Sequence, residues 1–401
     1  MNTGHPDQRV LSGMRPSGAL HLGHFHGVLK NWLKFQHEYD CFFCVADWQA
    51  LGRNFQAPKN IAQHIQNLVI DWLSVGIDPA SAKIFLQSRV PEHAELHLLL
   101  STITPLTWLE RMPAFKEAQE ANESLSLSDI SSPLLKTTDI LIYQAGLVTV
   151  SDEHEVHVEL AREIARRFNH LYGRESDFEK KSEQAIGKMN KKVSKLYQNL
   201  RRSFQEQGNQ EALLMGRALL EDQQVLTMGD RDRLTGYLEG NGRQLLAEPQ
   251  TLVTKAARIT GLDGRVMSRN YNNIISLRET SDSVEQKIRT MPTDSRRVRL
   301  TDPGDPLRCP VWPLHENFSD QKTCDWVTEG CTTAGIGCLE CKKPLIDNIN
   351  AQLEPIRVRA KEYEEHPGLV KDIIYQGSDD ARDVARETLD RVRDAMGMVY
   401  Y

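Results

Sequence analysis

Two histidines three positions apart, His21 and His24, are the side chains whose setting most suggests phosphate chemistry. They close Pro16-Ser-Gly-Ala-Leu-His-Leu-Gly-His24, where a glycine-containing loop gives way to helical apolar spacing. The first turn of a helix offers unpaired backbone amides and the positive end of the dipole, and both favour phosphate. Imidazoles there add donors for phosphate oxygens, and Gly23 has no side chain to block a flat ring. The same pattern also describes an ordinary strand-to-helix turn with surface histidines. A second constellation comes late: Cys309, then Cys331, Cys338 and Cys341, the last three spaced C-x-x-x-x-x-x-C-x-x-C. Four thiolates suit tetrahedral zinc or an iron–sulfur cluster, and spacing alone does not separate the two. Cys324 fits neither pattern and reads as a bystander. Cys41 and Cys44 are spaced C-x-x-C inside an apolar run, which reads as core packing.

The elements that must position these groups alternate between strand and helix. Val10 and Leu11 read as a short buried strand, broken into a loop by Ser12, Gly13, Pro16, Ser17 and Gly18. Leu22, Phe25, Val28, Leu29, Trp32 and Leu33 then follow helical spacing. Residues 41–47 read as a second strand ending in Asp47, a carboxylate at the edge where α/β sheets bind ligands. A helix over 59–76, a strand over 83–87 and a helix from His93 to Leu100 complete a parallel, doubly wound pattern. A helix over 133–147 enters a strand over 148–150, and another helix covers 159–172. From 173 to 242 the composition turns to long polar helices. One apolar seam runs through Ile186, Met189, Val193, Leu196, Leu200 and Phe204, and Gly208-Asn209 turns the chain into a second helix. This predicts an inserted helical hairpin. The chain returns to the sheet over 245–253 and is helical from 281 to its end.

With 401 residues, two or three domains are expected. A net charge of -6 gives no general sign of nucleic acid, so any RNA site would be a local basic surface. No apolar run reaches membrane-spanning length and no signal peptide is visible. Seven cysteines, several crowded late, fit a reducing cytoplasm and a metal site better than a disulfide frame.

The segment ending in His24 resembles the HIGH signature of class I aminoacyl-tRNA synthetases, and its flanks resemble the tryptophanyl-tRNA synthetase family. The resemblance implies an α/β fold: a class I synthetase Rossmann-type parallel sheet with a helical insertion and a C-terminal α-helical domain. It places a nucleotide-binding core with the amino-acid pocket at 1–172, the insertion at 173–243, the end of the core at 244–280 and an anticodon-type domain at 281–401. It implies ATP with magnesium, an amino acid, tRNA and a homodimer in the cytoplasm. In the family the HIGH segment holds ATP while an amino-acid carboxylate attacks the α-phosphate. That carries catalytic roles to His21 and His24. Leu109-Glu-Arg-Met-Pro-Ala-Phe-Lys116 resembles the segment whose lysine reaches the nucleotide, and the stretch from Gly261 to Asn273 resembles the mobile KMSKS loop. Lys116 and Arg269 therefore join the catalytic set, with Gly13, Arg15, Ser17, Gly23, Met267 and Ser268 around ATP. Leu11, Asp47, Ser132, Lys136, Asp139 and His154 are implied around the amino acid. Longer family members carry a [4Fe-4S] cluster on nearly the spacing of Cys309, Cys331, Cys338 and Cys341, which favours a cluster over zinc.

Departures from the family concentrate in the site. The first KMSKS lysine position is Val266, the second is Arg269 and the final serine is Asn270. Arg269 keeps a cation, but not an equivalent donor, and a lost contact to a transferring phosphoryl group can cost ~3 kcal/mol. The family usually has tyrosine at Ser132, glutamine or methionine at Lys136 and glutamine at His154, whereas Asp139 keeps the aspartate that accepts the indole N–H. Lys136 precedes Asp139 by three residues on a predicted helix, so the two can meet on one face. An ammonium competing for that carboxylate would handicap tryptophan. Three functions follow: a tryptophan–tRNA ligase; a paralogue activating a more polar or acidic amino acid for tRNA or for biosynthesis; or a non-catalytic binding protein. Intact His21, His24 and Lys116 speak against the third.

Overall fold

The computed structural model describes residues 8–54, 60–120, 125–150, 155–174, 177–253 and 259–398. Among them are strands β1 (Arg9–Met14), β2 (Asp40–Val45), β3 (Ala82–Leu86), β4 (Leu147–Val150) and β5 (Gln250–Val253), in the sheet order β3-β2-β1-β4-β5. Val10 lies opposite Leu147 in a parallel pair, and Cys41 to Val45 run parallel to Ala82 to Leu86. A parallel sheet is covered on both faces, which is why β2 is an unbroken apolar run rather than an alternating one. Cys41, Phe42, Phe43 and Val45 are fully buried and Cys44 nearly so, so this C-x-x-C is core.

The chain divides into two compact units. The first comprises Met1–Leu11, Arg89–Leu252 and Asp379–Tyr401; the second comprises Ser12–Ser88 and Val253–Ser378. In the second unit, Trp32 stacks on Phe43 at 4.0 Å between ring centroids and meets Trp72 edge-on at 5.0 Å. The edge-to-face contact is a favoured geometry for buried aromatics. No described helix is long and apolar enough to cross a membrane.

Three local expectations are corrected. Ser12 and Gly13 belong to β1, not to the loop: the Ala46 N–H donates to the Met14 carbonyl at 3.0 Å, so tertiary pairing overrides their turn propensity. The helix after His21 is not continuous. A single turn, Leu22–His24, opens into a π-helical stretch, Phe25–Leu29, before the regular helix Lys30–Glu38. The insertion is not a two-helix hairpin but, among the described residues, four helices: Phe178–Lys188, Lys191–Gln207, Gln210–Glu221 and Met228–Glu239. The apolar seam crossed an unseen break, where Asn190 caps a new helix by accepting the Val193 N–H. Leu196 is exposed, and the buried anchor is its neighbour Tyr197, whose hydroxyl donates to the Leu234 carbonyl at 2.5 Å. Ala185, Ile186, Met189, Tyr197, Leu220, Leu226, Leu234 and Leu238 give these helices a core of their own.

Candidate active site

The phosphate-type constellation assembles within the second unit. The His21 Nδ1 accepts the Gly23 N–H at 3.1 Å, and the His24 Nδ1 accepts the His21 N–H at 3.3 Å. Each ring therefore uses Nδ1 as an acceptor, which places its proton on Nε2. Burial first, then the Arg269 charge, lowers His21 to about 4. Burial, His21 and Arg269 lower His24 to about 3. Both are neutral near pH 7, with an Nε2–H to donate. The rings lie 3.8 Å apart between centroids, and a Cβ at Gly23 would sit 3.0 Å from the His21 ring. The backbone of this turn is clasped by the segment after the KMSKS-like loop: the Leu22 N–H donates to the Ile275 carbonyl, and the Leu277 N–H to that of Leu20.

Arg269 folds back onto the glycine loop. Its Nη2 donates to the Ser17 hydroxyl at 2.6 Å, while its buried Nη1 has no hydrogen-bond partner among the described residues. Gly18 sits at φ +123°, and a Cβ there would approach that Nη1 to 3.0 Å, so this position needs glycine on both counts. Ser268 caps the short 3₁₀ turn Arg269–Tyr271, the Met267 N–H donates to the Ile259 carbonyl, and Met267 is buried. Val266, standing where a family lysine would be, is exposed. Gly13 is packed against β2, where a Cβ would meet the Cys44 carbonyl at 2.9 Å, and Arg15 is exposed. Asp47 follows β2 as the first residue of the helix Asp47–Asn54. It accepts the Ser88 N–H at 3.0 Å, and burial raises its pKa. An anion bound here would meet the two neutral imidazole N–H donors and the Arg269 guanidinium, because the backbone amides of the turn are already taken by His21, His24 and Ile275.

The groups expected at the amino acid fall mostly in the first unit. The helix Leu127–Leu141 carries Ser132, Lys136 and Asp139, and Leu11 is buried in β1 opposite Val148. Asp139 is buried, with Oδ1 2.7 Å from the His93 Nδ1, and the His93 Nε2 lies 2.6 Å from the Tyr143 hydroxyl. The Lys136 Nζ lies 3.0 Å from Nε2 of His157 on the helix Glu155–Tyr172. Where the sequence expects Lys136 to meet Asp139, each of them contacts a histidine of a neighbouring helix, His157 and His93 respectively. His93 and His157 were missed because a lone histidine on an amphipathic helix carries no spacing signal. Lys116 is exposed on the helix Pro113–Glu120. His154 lies outside the described residues.

Cys309, Cys331, Cys338 and Cys341 lie in the second unit, each partly buried. Burial, then the neighbouring thiols of Cys309, Cys331 and Cys338, pushes the Cys341 thiol up to about 12. The four therefore share one neighbourhood. Among the described residues, however, no three His, Cys, Asp or Glu side chains are grouped to hold one metal ion. Thiolates on a single zinc stand roughly 3.8 Å apart, given Zn–S bonds of about 2.3 Å. Cys324 is buried against the His315 carbonyl and is no part of the group.

The chain belongs to the class I tRNA synthetases of the tryptophan and tyrosine type: the model of that family matches residues 3–202 and 213–354. It is an aminoacyl-tRNA ligase. It is 54% identical over 396 residues to the tryptophan–tRNA ligase of Ralstonia nicotianae, covering 98% of this chain and 99% of that one. It is 36% identical to the tryptophan–tRNA ligase of Thermotoga maritima, over 98% of this chain and all of that one. Among solved structures it is similar to the tryptophanyl-tRNA synthetase of Campylobacter jejuni complexed with ADP and tryptophan. There the TM-score is 0.73 and the identity 25%, over 97% of this chain and 99% of that one.

Proposed function

We propose that this ligase activates tryptophan with ATP and transfers it to tRNA. The observation that carries the activation step is Arg269, held by Ser17 with Nη1 unpartnered among the described residues and close enough to depress both His21 and His24. A tryptophan carboxylate oxygen attacks the α-phosphorus, the bond to the bridging oxygen breaks, and pyrophosphate leaves as the adenylate forms. The Nε2–H groups of His21 and His24 and the Arg269 guanidinium face the growing negative charge; fixed donors of this kind need no reorganisation as the charge develops. Magnesium, when bound, neutralises phosphate oxygens. Gly13, Arg15, Ser17, Gly23, Met267 and Ser268 shape the nucleotide side, and Lys116 supplies a further cation. Asp139 accepts the indole N–H, with Leu11, Asp47, Ser132 and His154 at the same substrate. Tryptophan is supported by the names of the relatives and by Lys136 pairing with His157. The expectation of a polar or acidic substrate, drawn from Ser132, Lys136 and His154, is not favoured by the relatives, which are tryptophan–tRNA ligases. ATP–pyrophosphate exchange with each standard amino acid should be fastest with tryptophan. An amino acid exceeding tryptophan tenfold in kcat/KM would overturn this reading.

A homodimer in the cytoplasm is proposed with this function, on family likeness. We also propose that Cys309, Cys331, Cys338 and Cys341 hold a [4Fe-4S] cluster; the support is their shared neighbourhood and the likeness of their spacing to that of longer family members. Protein purified without oxygen should be brown and contain iron with acid-labile sulfide. Stoichiometric zinc without iron would reject the cluster.

A further inference from the structure

Asp139 is buried, and its Oδ1 meets a histidine from another element. His93 stands in the first turn of the helix Glu92–Ser101 and is itself fully buried. Its Nδ1 faces Asp139 Oδ1 at 2.7 Å and its Nε2 faces the Tyr143 hydroxyl at 2.6 Å. A carboxylate only accepts, so Nδ1 carries a ring proton and donates to it, while Nε2 bonds the tyrosine hydroxyl. The Tyr143 ring is fully buried and packs edge-on against the imidazole at 5.3 Å. The relay Tyr143–His93–Asp139 thus spans two helical elements and fixes the ring plane and the carboxylate rotamer together. Supporting partners of this type are what hold a binding group in its productive geometry.

We infer that His93 is a positioning residue for tryptophan specificity: it aims the Asp139 carboxylate at the indole N–H. The inference rests on the reading of Asp139 as the acceptor of that N–H. A site built around a substrate N–H rejects an analogue lacking it far more strongly than an apolar pocket rejects a change of shape. Discrimination, rather than activity alone, is therefore the quantity that His93 should control.

The test compares pyrophosphate exchange with tryptophan and with its benzothiophene analogue, in which sulfur replaces the indole N–H. The native enzyme should prefer tryptophan by about a hundredfold or more in kcat/KM. Absence of that preference would overturn the Asp139 reading and this inference with it. In His93→Leu the preference should shrink at least tenfold, through a higher KM for tryptophan, with the analogue changed less than about threefold. His93→Asn places an amide N–H near the position of Nδ1 and should restore the preference to within about threefold of native. Tyr143→Phe keeps the ring volume, removes the hydroxyl that bonds Nε2 and should give an intermediate preference. Should His93→Leu fail to fold, the tyrosine variant decides. A parallel fall with both substrates, leaving the preference at its native value in the variants that fold, would show a merely structural role and overturn the inference.

Discussion

His24→Ala lowers tryptophan-dependent pyrophosphate exchange by about a hundredfold to a thousandfold, the usual loss for one fixed donor to developing charge. The substitution removes an Nε2–H and also the Nδ1 that accepts the His21 N–H, so it releases the turn holding the second imidazole. His24→Gln, which carries an amide near the position of Nε2, should recover part of the loss. The same variant changes acid stability in a defined direction. His24 has a folded pKa of about 3 against 6.5 for an unperturbed histidine, through burial, then His21 and Arg269. Between those values the unfolded chain binds the extra proton, so stability falls as the pH drops below about 6.5. His24→Ala removes that contribution, and its melting temperature should fall less steeply between pH 6.5 and 4. Exchange within threefold of native in this variant would remove His24 from the nucleotide site.

Asp71→Ala is expected to cost about 3–5 kcal/mol in urea unfolding, the range for breaking one side of a buried pair. Asp71 is 1% exposed. It accepts the Leu20 N–H at 3.0 Å and the Arg278 Nε at 2.6 Å, and Arg278 also reaches Asn67 and Glu364. Burial raises the Asp71 pKa even against these donors, so the pair is not a large net gain over an apolar pair. The loss comes instead from leaving Arg278 half-buried without its main counter-charge and the Leu20 N–H without an acceptor. Replacing both Asp71 and Arg278 by leucine should therefore cost less than Asp71→Ala alone. Leu20 immediately precedes His21, so Asp71→Ala should also raise the KM for ATP. A cost below 1 kcal/mol with an unaltered KM would dismiss Asp71 as the anchor of the histidine turn.

The parts of the molecule legible in the sequence were those with a repeating or local signal. The apolar run of β2 announced a strand buried on both faces, and the loop-to-helix switch at His21 announced the helical turn Leu22–His24. What escaped depended on tertiary pairing. Ser12 and Gly13 are turn formers that a neighbouring strand recruits into β1. The π-helical stretch Phe25–Leu29 has the same apolar spacing as an α-helix to within one residue. In the amino-acid groups, the i,i+3 spacing of Lys136 and Asp139 was legible, but their contacts with His157 and His93 on other helices were not. Spacing within one helix states which side chains can meet and says nothing of what a packed neighbour offers instead.

The helical insertion leaves and rejoins the chain at one point. The Arg243 N–H donates to the Gly173 carbonyl at 2.7 Å, and a Cβ at Gly242 would sit 2.3 Å from the Gly173 carbonyl carbon. With entry and exit already touching, joining 173 to 243 would close no new loop and incur almost no chain entropy. The inserted helices bury Tyr197, Leu234 and Leu238 among themselves, so excision would take their core away whole. It would surrender the ion pair between Asp232 and Arg391. The segment thus has the geometry of a cassette, and the same seam would accept a foreign domain whose termini lie side by side.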